Sequence, residues 1–78
     1  MTSDDLIKAV GMRIRAARKG KNMSQERLAE LAELHPTYIS HIELGKVNAS
    51  LTSYNAIAQG LGLSLAELVD IRKQGESE

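Results

Sequence analysis

Three polar side chains on one short segment are the best candidates for chemistry in this sequence. Ser40 and His41 follow Thr37 by three and four residues, and the apolar Ile39 and Ile42 alternate with them. Because residues three and four apart share one face of a helix, a helix here would turn the polar set outward and the isoleucines inward. Hydroxyl and imidazole groups donate and accept hydrogen bonds. The segment is therefore predicted to contact a surface that is rich in hydrogen-bonding groups.

These residue types are not spaced for catalysis or for metal binding. The chain has no cysteine, which excludes disulfides, cysteine metal ligands and a thiol nucleophile. His35 and His41 are six residues apart and fall on different sides of a helix, which argues against a shared zinc site. Ser24, Ser50 and Ser64 have no base at motif spacing and are predicted to be helix caps. Without a phosphate-binding loop or paired carboxylates in a cleft, we expect no enzyme activity, cofactor, metal or small-molecule ligand.

The length of 78 residues allows one small domain with a thin core. We expect this core over residues 6–71, with residues 1–3 and 74–78 frayed. No apolar run approaches the ~20 residues that cross a membrane. The acidic start of the chain does not resemble a signal peptide, so a cytoplasmic protein is expected. Leucine, isoleucine and alanine supply most of the apolar content, which favours an all-α fold.

The charges are unevenly distributed although they sum to zero. Residues 8–46 carry eight basic and four acidic side chains, a net +4, and the segments on either side carry −2 each. A basic middle is compatible with a polyanionic partner. It is equally compatible with solvated helix faces that happen to be sorted in this way.

Caps and glycines divide the chain into five predicted helices, which cover residues 4–18, 25–32, 36–44, 51–61 and 65–73. Pro36 suits the first position of the third helix, where its missing N–H costs nothing. Gly45 and Gly62 are stop signals for the third and fourth helices. The residues that the helical periodicity turns inward are Leu6, Val10, Ile14, Ala17, Leu28, Ala29, Ala32, Ile39, Ile42, Leu51, Tyr54, Ile57, Ala58 and Leu61.

The second and third predicted helices are separated by only three residues, 33–35. Two helices joined this tightly cross steeply instead of lying antiparallel, which is helix-turn-helix geometry. The second helix of such a unit stands out from the core and fits a DNA major groove about 12 Å wide. Short helix pairs also occur in plain bundles, so spacing alone leaves both interpretations open.

Five stretches of sequence together resemble the Cro/phage-repressor-type (XRE-type) helix-turn-helix family. They are residues 24–29, 37–43, 45–46, 48–51 and 61–68, and the resemblance extends over residues 12–69. It implies a five-helix, lambda-repressor-like domain that binds double-stranded operator DNA, usually as a homodimer. The Thr-Tyr-Ile-Ser run at 37–40 is most similar to restriction–modification controller proteins.

The resemblance also implies roles for individual residues. Base-reading positions of the recognition helix are occupied by Pro36, Thr37, Ser40 and His41. Phosphate contacts fall on Gln25, Tyr38, Lys46 and Asn48, although Tyr38 also matches a contact to central bases. Arg18 and Glu43 match an ion pair that ties the first helix to the third. The alternative for this pair is two unrelated surface charges, and for His41 a solvated side chain.

Four residues depart from the family pattern. Glu33 stands where the turn usually has glycine, which would cost ~1–2 kcal/mol if its backbone is left-handed. Pro36 replaces a frequent base-reading arginine and cannot hydrogen-bond bases, so readout should depend more on DNA shape. Leu44 replaces a polar residue, and Ala49 replaces a proline.

The last predicted helix carries more apolar side chains than one core can cover. Leu65, Val69 and Ile71 are therefore predicted to form a dimer interface, whereas Leu68 is equally compatible with the interface and with the core. The resulting prediction is a homodimeric, sequence-specific transcriptional regulator on a near-palindromic operator. The alternative is a protein-interaction module, such as an antitoxin-like partner, which the zero net charge and Leu44 would suit.

Overall fold

Five short helices, each begun by a side-chain cap, form the part of the chain that the computed structural model describes, residues 2–70. They are α1 (Ser3–Gly20), α2 (Gln25–Ala32), α3 (Pro36–Glu43), α4 (Leu51–Gly60) and α5 (Leu65–Leu68). No strand occurs within this range. The predicted all-α fold with five helices is confirmed.

The caps explain why the helices begin where they do. Ser24, Ser50 and Ser64 each accept a hydrogen bond from the backbone N–H three residues further on, as predicted. Glu67 completes a capping box at α5. At α1 the capping box is formed by Thr2 and Asp5. Thr2 is therefore the N-cap, and Ser3 is the first residue of the helix.

The helix bounds lie within two residues of the prediction, and those of α2 agree with it, but the end of α5 does not. This helix ends at Leu68, and the Val69 N–H still donates to the Leu65 carbonyl oxygen at 3.1 Å. The predicted helix to residue 73 is thus too long, because Val69 and Asp70 are not helical; residues 71–73 lie outside the described residues. The reason is that few contacts hold this helix: its capping box, the packing of Leu65 and Leu68 against the core, and a hydrogen bond from Arg13 Nη2 to the Glu67 carbonyl oxygen at 3.1 Å.

The core lies where α1, α2, α3 and α4 meet, and Leu68 closes it from α5. Most of the predicted inward residues are buried there, but Leu6 and Leu51 are not: their exposed fractions are 46% and 69%. Both predictions are wrong because the apolar periodicity extends beyond the part of each helix that the neighbouring helices cover. Leu6 lies near the start of α1, and Leu51 is the first residue of α4. The side chains that form the core are Val10, Ile14, Leu28, Ala29, Ala32, Ile39, Ile42, Ala49, Tyr54, Ile57, Ala58, Leu61 and Leu68.

Glycine sets the distance between α1 and α3. A Cβ built on Gly11 would clash with the Ile42 carbonyl oxygen and lie 2.8 Å from that of Glu43. Gly60 allows a similar approach of α4 to α2, since its Cβ would be 3.1 Å from Leu28 Cδ1. These two contacts fix how far α2 and α3 stand from the helices behind them.

The turn between α2 and α3 has the left-handed residue that the family comparison suggested. Glu33 has φ 58° and ψ 43°, and its N–H donates to the Glu30 carbonyl oxygen at 3.2 Å. The Leu34 N–H then donates to the Ala29 carbonyl oxygen at 2.9 Å. The turn is therefore closed by backbone hydrogen bonds around a strained side-chain-bearing residue.

Candidate nucleic-acid interface

The helix α3 has one buried and one open face. Ile39 and Ile42 are fully buried, whereas Thr37 and His41 are exposed and Ser40 is half-buried. The polar face that the sequence predicts is therefore turned away from the core. Its hydroxyl and imidazole groups are free of the core and available to an external surface.

The start of α3 is capped by a side chain that sequence reasoning missed. His35 Nδ1 accepts a hydrogen bond from the Thr37 N–H at 3.1 Å, and Pro36 follows as the first helical residue. The sequence signal was present, because the residue before a helix-opening proline is the N-cap. Histidine is not among the usual N-cap residues, which is why it was not identified.

A buried ionic network fixes α3 against α1 and α2. Arg18 Nε donates to Glu43 Oε2 at 2.7 Å, and Arg18 Nη2 donates to Glu43 Oε1 at 3.1 Å. Arg18 Nη1 also donates to the Met23 carbonyl oxygen at 2.7 Å. Both charged side chains are buried, so the alternative of two unrelated surface charges is wrong. Within residues 2–70 no buried side-chain nitrogen or oxygen lacks a hydrogen-bond partner.

Gln25 connects this network to the open face. Its Nε2 donates to Glu43 Oε1 at 3.0 Å, and the residue is half-buried at the first position of α2. An amide has a second N–H and an acceptor oxygen. The side chain can therefore brace Glu43 and still reach an external acceptor such as a phosphate oxygen.

The loop after α3 carries the remaining polar candidates. Lys46 and Asn48 are exposed, and the Lys46 N–H donates to the His41 carbonyl oxygen at 2.9 Å. Gly45 has φ +72° and lies so close to Lys8 that a Cβ would meet its side chain. Tyr38, the other predicted phosphate contact, lies within α3, where it is partly buried and packs against the core. The loop is thus held at a defined distance from α1.

Charged side chains of α2 and α3 are paired within the chain. Arg27 near the start of α2 pairs with Glu30, with a 2.8 Å distance from Nη1 to Oε1. Glu43 is neutralised by Arg18. No cluster of three metal-binding side chains occurs in residues 2–70, and the helices in this range are too short or too polar to span a membrane.

A second open surface is apolar and lies on α1, α4 and the end of α5. Val69 stands on its rim with 39% of its surface exposed. Leu65 is instead half-buried against the core, and Ile71 lies outside the described residues. The surface is a groove of about 170 Å³ lined by Leu6, Ile7, Val10, Asn48, Leu51, Tyr54 and Val69.

Comparisons with known proteins agree with this geometry. The helix-turn-helix family model matches residues 14–68. The control protein C.BamHI of Bacillus amyloliquefaciens is 44% identical over 69 residues, which are 87% of this chain and 85% of that protein. The restriction–modification controller protein C.AhdI of Aeromonas hydrophila has a TM-score of 0.77 at 39% identity, covering 82% of this chain and 96% of that one.

The controller protein C.Esp1396I, solved as a nucleoprotein complex, has a TM-score of 0.72 at 33% identity and covers 83% of this chain and 94% of that one. The family match includes α2, the turn and α3, together with α4 and α5. The chain therefore belongs to the XRE-type helix-turn-helix family of DNA-binding transcriptional regulators.

Proposed function

We propose that this regulator binds a near-palindromic operator as a homodimer, with the start of α3 in the major groove. The observation that carries the proposal is the division of α3 into a buried isoleucine face and an open polar face, held in place by Arg18, Glu43 and Gln25. A helix fixed in this way presents its leading residues as one rigid edge. The similarity to control proteins supports a role at the genes of a restriction–modification system.

In this proposal the polar face reads bases and the surrounding residues hold phosphates. Thr37, Ser40 and His41 donate and accept hydrogen bonds at base edges, and Pro36 contributes only apolar contact. The phosphate contacts come from Gln25, Tyr38, Lys46 and Asn48. Since the net charge is zero, non-specific affinity for DNA should be modest.

The apolar groove is proposed to be covered by a second copy of the chain. Leu51 and Val69 would be shielded from water in such a dimer, and the zero net charge means that two copies do not repel each other strongly. Asn48 lies on the rim of the groove as well as in the loop proposed to contact phosphate. The two α3 helices would then meet half-sites about one turn, ~34–36 Å, apart.

An electrophoretic shift on a labelled duplex from upstream of the protein's own gene tests the DNA-binding mode. Thr37→Ala should weaken operator binding, because it removes a base-reading hydroxyl at the second position of α3. Thr52→Ala is the matched control, since Thr52 is exposed at the second position of α4. If both variants bind like the wild type and a stoichiometric protein partner co-purifies, the interaction-module alternative is favoured instead.

A further inference from the structure

The imidazole of His35 has one occupied and one open nitrogen. Nδ1 accepts the Thr37 N–H at 3.1 Å, which satisfies a backbone donor in the first turn of α3. The residue is exposed, and within residues 2–70 no hydrogen bond is made by Nε2. This arrangement gives the side chain a capability beyond capping.

The occupied nitrogen determines where the proton lies. An Nδ1 that accepts from a backbone N–H must keep its lone pair, so the neutral ring carries its hydrogen on Nε2. The cap therefore turns His35 into a fixed hydrogen-bond donor that points away from the helix. A donor whose tautomer and orientation are set before binding loses little freedom when it meets an acceptor.

The position of this donor places it beside the proposed reading edge. His35 directly precedes Pro36, which cannot donate, and its ring is bonded to the backbone of Thr37. His35 and Thr37 are both exposed, so the ring lies close to the first residues of α3 that a bound surface would meet. The acceptors that duplex DNA offers there are phosphate oxygens and the N7, O6 and O4 atoms of base edges.

We propose that His35 is a further DNA-contacting residue, whose Nε2–H donates to an acceptor oxygen or nitrogen of the operator while its Nδ1 caps α3. This inference depends on the docking of α3 proposed above. It adds to that docking a contact that the recognition positions of the helix do not supply.

Two substitutions separate the cap from the contact. His35→Ser keeps a good N-cap but removes the outward donor, and His35→Ala removes both. The melting temperature of His35→Ser should stay near that of the wild type, whereas that of His35→Ala should fall. Operator affinity of His35→Ser should nevertheless fall about threefold to tenfold, the value of one hydrogen bond.

Titrations on the operator and on a random duplex at several salt concentrations identify the acceptor. A loss confined to the operator indicates a base edge. A loss on both duplexes with an unchanged salt dependence indicates a phosphate, because a neutral donor releases no counterion. If His35→Ser binds both duplexes like the wild type while Thr37→Ala weakens operator binding, the inference is wrong and the docking stands; if neither variant has an effect, both are wrong.

Nitrogen chemical shifts of the free protein give a test that needs no DNA. In its neutral form the His35 ring should show an unprotonated Nδ1 and a protonated Nε2. A ring protonated on Nδ1 would remove the basis of the inference.

Discussion

Buried Glu43 is the residue on which the position of α3 most depends. One of its oxygens accepts from Arg18 and Gln25, and the other accepts from Arg18 alone. Fork geometry of this kind makes a charge pair tolerable inside a small core. The pairing was suggested by the sequence only through family resemblance, because residues 25 positions apart give no local signal.

Glu43→Ala should lower the free energy of unfolding by about 3 kcal/mol or more, because it leaves the buried Arg18 guanidinium without its counter-charge. In a second set of variants, the double change Arg18→Met/Glu43→Leu should lose less than the sum of the losses caused by Arg18→Met alone and Glu43→Leu alone. Urea denaturation of the four proteins in a double-mutant cycle measures this. Additive losses would mean that the two side chains are not coupled.

Glu33→Gly should raise the free energy of unfolding by up to ~1 kcal/mol, because glycine adopts the left-handed backbone without a steric penalty. Thermal unfolding monitored by circular dichroism provides the measurement. Asn22→Gly is the matched control: Asn22 is also left-handed, but asparagine tolerates that region, so its gain should be smaller. A lower melting temperature for Glu33→Gly would contradict the strain argument.

Among the elements, helix starts could be predicted well and helix packing could not. Caps such as Ser24 and Ser64 act on backbone groups three residues away, so the sequence itself contains the signal. The importance of Gly11 depends on two carbonyl oxygens of α3 more than 30 positions away. A helical pattern indicates which face is apolar, but it does not show how closely another helix approaches.

Gly11→Ala should destabilise the protein by about 1–3 kcal/mol, since its Cβ would force α1 away from the end of α3. Gly20→Ala is the control, because a Cβ there meets nothing within 4 Å at the last residue of α1. It should be neutral or slightly stabilising. Chemical denaturation of both variants compares them, and equal effects would show that α1 and α3 are not in tight contact.

At the level of the whole molecule, the exposed leucines show that apolar periodicity alone does not predict which side chains are buried. Leu6 and Leu51 have the periodicity of core residues, yet the single chain leaves them open to water. A pattern that selects apolar side chains does not distinguish a core from an interface. Of the three residues predicted for the dimer interface, Val69 lines the apolar groove, Leu65 packs against the core, and Ile71 lies outside the described residues.

Leu51→Glu should shift a dimer toward monomer without unfolding it, because the side chain is 69% exposed and begins a helix. Sedimentation equilibrium measures the association constant, and circular dichroism checks the helix content. Met12→Glu is the control, since Met12 is also largely exposed but lies outside the groove. Unchanged association for Leu51→Glu would place the interface elsewhere.

Arg18 joins three segments of the chain. It is part of α1, and its planar head group bonds Glu43 of α3 and the Met23 carbonyl oxygen in the stretch before α2. A lysine would preserve the charge, but a single ammonium lacks the rigid fork that serves these partners together. Few other residues should therefore be tolerated at position 18, and a substitution there is expected to be accompanied by one at Glu43. The loss of stability on replacing Arg18 with lysine would therefore come from the changed shape of the head group and not from a change in charge.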